Sequence, residues 1–182
     1  MKITSLKTKY GEIIPELKKE FGRSNIMAVA KIQKVVVNVG IGKINKEAEK
    51  IEELVKILET ITGQKPVKTR AKNSIASFKT RKGMEIGVKV TLRGERMWSF
   101  LDRLVNVAFP RTRDFQGIKI SGVDDHGDFS IGLKEHLVFP EISAEKTKNL
   151  FGMQISIQTT AKTKKEGERL FQLLKFPFKK EQ

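Results

Sequence analysis

Between Lys65 and Lys82 the chain reads KPVKTRAKNSIASFKTRK, with seven Lys or Arg and no Asp or Glu. Such a run does not bury itself cheaply, because each desolvated ammonium or guanidinium needs a partner. It suits a polyanion instead: cations neutralise phosphates and release counterions. Phe78, set within the positive field, offers a face to a base or sugar. Taken alone, the same run also fits a solvated basic loop.

Other clusters test poorly for catalysis. NVGIGK, from Asn38 to Lys43, resembles a phosphate loop but lacks the G-x-x-x-x-G-K-[ST] spacing. The dinucleotide pattern fails too, since Asn45 stands where the third glycine belongs. A tight turn after a strand accounts for it, with glycines that let the backbone come close to a phosphate. DDHGD, from Asp124 to Asp128, lacks calcium-loop spacing and reads as a polar hairpin turn. His136 follows Glu135 outside any H-E-x-x-H frame, and no serine sits in a G-x-S-x-G elbow. No catalytic residue, metal or cofactor is expected.

Composition points the same way. The 182 residues carry 36 Lys+Arg against 21 Asp+Glu, a formal charge of +15, and are 38% hydrophobic. Charge of this size repels itself unless a polyanion offsets it, while the apolar content suffices for a core. There is no cysteine, which excludes disulfides, thiolate catalysis and Cys-ligated zinc. No apolar run approaches the ~20 residues that span a bilayer. The N-terminal segment carries Glu12, Glu16 and Glu20 and no apolar signal region, so a cytoplasmic location is expected.

The elements that must position the basic run alternate in type. Ile13, Ile14, Leu17 and Phe21 fall at helical spacing before Gly22, with Pro15 awkward unless it lies in the first turn. KIQKVVVNVGIG reads as a strand. Lys46 to Thr62 is the clearest helix, with Ile51, Leu54, Val55, Leu58 and Ile61 on one face and Gly63 closing it. Ile86, Val88, Val90 and Leu92 alternate with Gly87, Lys89, Thr91 and Arg93, a strand with a polar, basic face. Glu95 to Ala108 reads as a helix ended by Pro110, and Arg111 to Gly127 as irregular. Phe129 to Leu133 and Met153 to Gln158 alternate as strands. Thr163 and Glu166 form a capping box for a last helix, and the tail FPFKKEQ reads as a frayed end.

Alternating strands among amphipathic helices predict an α+β fold. An antiparallel or mixed sheet has helices packed on one face, and a basic loop at about 65–85 projects from a single domain of residues 1–182. KGMEIGVKV, from Lys82 to Val90, begins like the RNP1 element of an RNA-recognition motif but lacks its stacking aromatics. What remains is a sheet face of Lys34, Asn38, Lys89, Thr91 and Arg93 adjoining the loop with Phe78. Amides, hydroxyls and cations of this kind hydrogen-bond phosphates, 2′-hydroxyls and unpaired base edges. From the residues alone three rivals stay open: a general single-strand binder, a phosphate-handling enzyme at the NVGIGK turn, and a protein lying on an anionic membrane.

LETITGQKPVKTRAKNS, from Leu58 to Ser74, resembles the signature of the universal large-subunit ribosomal protein number five family, which binds 5S rRNA. KVVVNVGIG, SIASFKTRKGMEIGVKVTLRG, LVNVAFPRTRDFQGI, FSIGLKEHLVFPEI and GMQISIQTTAKTKKE follow in the family's order, closest to the bacterial type. The resemblance implies a structural, non-enzymatic role in the central protuberance. Its partners would be 5S rRNA, large-subunit rRNA, neighbouring large-subunit proteins, peptidyl-site tRNA and a small-subunit head protein, with no membrane. It implies rRNA binding by Lys34, Asn38, Gln64, Phe78, Thr91 and Arg93. It also implies a tRNA-contacting loop with Lys72, Asn73, Ser74, Lys79, Arg81 and Lys82. Phe109, Arg111 and Arg113 would serve the bridge to the small subunit. Asn73 stands where many relatives carry a lysine, so one phosphate contact is expected to be weaker here.

Overall fold

The computed structural model describes residues 5–42, 44, 47–113, 115–142 and 149–179. Among these, strands β1 (Ile32–Gly40), β2 (Val67–Arg70), β3 (Glu85–Leu92), β4 (Phe129–Leu133) and β5 (Met153–Thr159) form one sheet. Its order is β2-β3-β1-β5-β4, antiparallel throughout. Helices α1 (Leu6–Glu20), α2 (Ala48–Thr62), α3 (Gly94–Arg103) and α5 (Lys164–Leu173), with the single turn α4 (Phe109–Arg111), complete the α+β fold.

The apolar alternation decides which face is covered. Val35, Val37 and Val39 of β1, Val88 and Val90 of β3, and Ile155 and Ile157 of β5 are buried in one core with Leu54, Leu58 and Ile61 of α2 and Met97 and Leu101 of α3. The intervening strand residues are left on the opposite face. Ile86 departs from the expected stripe and is exposed, where the β2–β3 register slips between Thr69 and Arg70.

Three further expectations change. Helix α1 starts at Leu6, so Pro15 lies in its interior, not its first turn. Its start is pinned from outside: Asp102 of α3 accepts from the Leu6 N–H at 2.7 Å and from the Ser5 hydroxyl at 2.9 Å. Pro15 and Gly11, whose carbonyl loses its helical donor, are both exposed, so water can replace that bond. Pro110 does not end its helix either. A π turn over Leu104–Ala108, with the Phe109 N–H reaching the Leu104 carbonyl, carries the chain on to Arg111. The missing N–H of Pro110 falls next to that wider turn. The tail is docked as far as Lys179: Phe178 packs its ring 5.6 Å from Phe129, and Ile118 exchanges backbone bonds with Pro177 and Lys179. Lys180–Gln182, Lys46 at the expected helix start, Asp114, and Lys43 and Asn45 of the glycine turn lie outside the described residues.

The first and last helices are tied together by Arg169 of α5 with Glu16 and Glu20 of α1, and the segment just past α1 adds a further pair. Arg23 pairs with the buried Glu166, which also accepts from the Lys162 N–H at 2.8 Å. Burial alone would raise this carboxyl, but the Lys162 N–H, the Arg23 guanidinium and the Thr163 N–H hold it below the ordinary value. DDHGD is a turn into β4, with the Asp124 carboxylate accepting from the N–H groups of His126 and Asp128. No helix among the described residues is long and apolar enough to cross a membrane.

Candidate nucleic-acid interface

The uncovered face of the sheet is polar in rows. Asn38 lies between Lys89 and Gln154, with Gly132 beyond Gln154 and Val67 beyond Lys89. Val36 lies between Thr91 and Ser156, with Ser130 beyond; the Ser130 and Ser156 hydroxyls are 3.1 Å apart. Lys34 pairs with Gln158 in the next row. The face thus grades from cationic at β3 and β1 to uncharged amides and hydroxyls at β5 and β4. Lys34, Lys89 and Arg93 have no ion pair among the described residues.

The end of α2 supplies Gln64. Gly63 adopts φ +65, which stops the helix, and the buried Thr62 hydroxyl accepts from the Gln64 N–H at 3.4 Å. The Gln64 amide then donates to the Thr91 carbonyl at 3.2 Å. Lys34, Gln64, Thr91 and Arg93 therefore gather at one end of the sheet, with Asn38 and Lys89 towards its middle.

The basic segment leaves from the other end, as the connection between β2 and β3. Ala71 exchanges backbone bonds with Met84 and Gly83, and Ile75 exchanges two with Thr80, so the tip is a small hairpin. The Ser74 hydroxyl accepts from the Lys82 N–H at 2.9 Å, and Lys79 takes φ +51 in the tip turn. Lys72, Asn73, Ser74, Lys79, Arg81 and Lys82 are all exposed. Of the seven cations between Lys65 and Lys82, only Lys68 is ion-paired among the described residues, to Glu85. Phe78 is 74% exposed and Ile75 45%, an apolar tip in a field of cations. Strand β3 separates Thr91 from the base of this loop by ~20 Å, so Phe78 does not join the Gln64–Thr91 group.

Comparison with known proteins covers most of the chain. The family model described as Ribosomal protein L5 matches residues 25–81, and the model for the C-terminus of the same ribosomal family matches residues 85–178. The large ribosomal subunit protein uL5 of Thermoanaerobacter sp. is 51% identical over 179 residues, covering 98% of this chain and 100% of its own. That of Dictyoglomus thermophilum is 52% identical over 176 residues, covering 96% and 98%. The uL5c protein of Spinacia oleracea is 52% identical over 178 residues, covering 97% and 69%. The chain belongs to the uL5 family.

A uL5 protein is a structural component of the large ribosomal subunit in the cytoplasm, not an enzyme. The residues expected at the site stand unequally in the structure. Arg111 and Arg113 are exposed, but Phe109 is 1% exposed and stacked on Phe115 at a ring separation of 5.5 Å. Phe109 is therefore a core residue that presents no exposed ring to a partner, unlike the two arginines after it. Conversely, Ser130, Gln154, Ser156 and Gln158 share the face with Asn38 and Thr91. The polar positions of the last two strands were visible in the alternation, but joining them to β1 and β3 required the strand order.

Proposed function

We propose that this uL5 protein binds 5S rRNA on the uncovered sheet face and anchors it in the central protuberance, acting as one unit whose loop, narrowed from the expected 65–85 to 71–84 because Val67–Arg70 pair into the sheet as β2, projects from it. Lys34, Lys89 and Arg93 neutralise phosphates there, while Asn38, Gln64 and Thr91 address an irregular RNA surface. The loop with Lys72, Asn73, Ser74, Lys79, Arg81 and Lys82 reaches peptidyl-site tRNA, and Phe78 packs on RNA at its tip. Arg111 and Arg113 face a head protein of the small subunit. The observation that carries this reading is the row Gln154–Asn38–Lys89, polar and unpaired by any carboxylate among the described residues, beside the Thr91–Gln64 contact. A flat surface of amides, hydroxyls and cations suits RNA, whose deep major groove excludes side chains and whose 2′-hydroxyls and loops are the readable parts.

The deciding experiment is a titration against 5S rRNA and a structured RNA of equal length, at several salt concentrations. Binding to 5S rRNA that survives excess competitor supports the reading. Equal, steeply salt-dependent binding to both would mean that charge alone drives association and would refute specificity for 5S rRNA.

A further inference from the structure

The sheet has two edges, and they differ. The outer strand β2, VKTR, is guarded by Lys68 and Arg70, the usual protection against strand addition. The other outer strand, β4, reads FSIGL, with no charge and no proline. On one side the Leu133 carbonyl faces Gly152 next to β5; on the other the Ser130 carbonyl faces Gly122. Alternation then turns the N–H and C=O groups of Ser130 and Gly132 away from β5, those of Ser130 against the 122–124 segment and those of Gly132 into open space. Beyond β5, only the isolated Val123–Phe129 bridge pairs β4 among the described residues.

Alongside this edge lies a slot of about 440 Å³ between β4 and the 117–122 segment. The stacked rings of Phe109 and Phe115 line it, and Ile118 and Leu133 add apolar wall. Lys119 stands at this slot, and Arg113 and Lys134 at the adjoining one, against Glu135; none of the three cations is ion-paired among the described residues. The geometry points to a docking site for an extended acidic segment of a partner protein, added as a strand against β4 at Gly132 with its apolar side chains over Phe115 and Ile118. Outward-facing backbone groups require a polypeptide, and the excess of cations selects its charge. This deepens the reading of Arg111 and Arg113 as a protein-facing surface and rests on it.

The test uses the full chain, isotope-labelled for NMR, and a nine-residue probe peptide alternating valine with glutamate. Its control is the same peptide with lysine for glutamate. The expected result is slowed amide exchange at Gly132 and shifts confined to β4 and the 117–122 segment, with affinity at least about tenfold weaker for the lysine peptide. Gly132→Pro removes the outward N–H and Gly132→Lys adds a guard; a Cβ at Gly132 meets nothing within 4 Å, so both should leave the spectrum of the core unchanged and abolish the peptide-induced shifts of the other β4 residues, with Gly132→Lys also losing protection at position 132. Protection by both peptides alike, shifts on the basic loop alone, or protection that grows with protein concentration without peptide would each overturn the proposal. Loss of subunit joining in Arg111→Ala/Arg113→Ala, with no peptide effect at Gly132, would sink the strand-addition mode and leave the bridge standing. Unchanged joining in that variant would remove the bridge and, with it, the ribosomal setting of this site.

Discussion

At the scale of single residues, Lys34 and Thr91 carry different kinds of information. Lys34 lies half-buried on the polar face beside Gln158, with no ion pair among the described residues. Lys34→Ala should weaken 5S rRNA binding and reduce the slope of log affinity against log salt by ~0.7–0.9, one phosphate's worth. An unchanged slope would remove Lys34 from the interface. Thr91→Val keeps shape but deletes a hydroxyl, so it should lower affinity for 5S rRNA more than for an unrelated RNA. Equal losses would exclude Thr91 from recognition. His136 is a different case, fully buried and stacked on Phe151 at 4.0 Å, with Nε2 unpartnered among the described residues. Burial lowers its pKa from the ordinary 6.5, against smaller opposing contributions from Phe151, Glu53 and Glu135. Below pH 6.5 the unfolded chain therefore binds more protons than the folded one, so stability is full above that value and falls with acidification. Urea midpoints should drop between about pH 7.5 and about pH 5.5, and His136→Phe should flatten that drop. Glu166, lowered from 4.5, loses its contribution only at more acidic pH.

At the scale of elements, the end of α2 couples fold to site. Gly63 has φ +65 and open space where a Cβ would go, so Gly63→Ala is penalised by backbone conformation alone. The expected cost is about 1–2 kcal/mol, read from chemical denaturation. A neutral result would show that the αL stop is not needed to deliver Gln64. This end was readable in sequence, because Ile51, Leu54, Leu58 and Ile61 repeat at helical spacing and then give way to glycine. The start of α1 and the far end of α3 were not. Their boundaries depend on Asp102 holding the first turn of α1 and on a π turn ahead of Pro110, contacts between residues far apart or off the α-helical period.

At the scale of the whole molecule, a formal charge of +15 makes salt act in opposite directions on folding and binding. Screening relieves self-repulsion in the free protein, whereas it weakens the release of counterions that drives RNA association. Raising salt from about 50 mM to about 200 mM should therefore raise the melting temperature of the free chain while lowering affinity for 5S rRNA. A melting temperature that falls over this range would mean that ion pairs such as Arg169 with Glu16 and Glu20 outweigh the repulsion.

Sequence alone predicted the long helices, four of the five strands and a polyanionic partner; the short β2 (Val67–Arg70) lay hidden inside the basic run. Period-2 and helical spacing are local properties, and an uncompensated run of cations needs a polyanion wherever it lies. Only the tertiary structure decided which polar residues share a surface: Asn38, Lys89 and Gln154 come from distant segments, and strand order and register put them in one row. It also decided that Phe109 is core while Arg111 is surface, because exposure at neighbouring positions depends on what packs against them. Those are non-local facts, set when separate segments meet across the sheet.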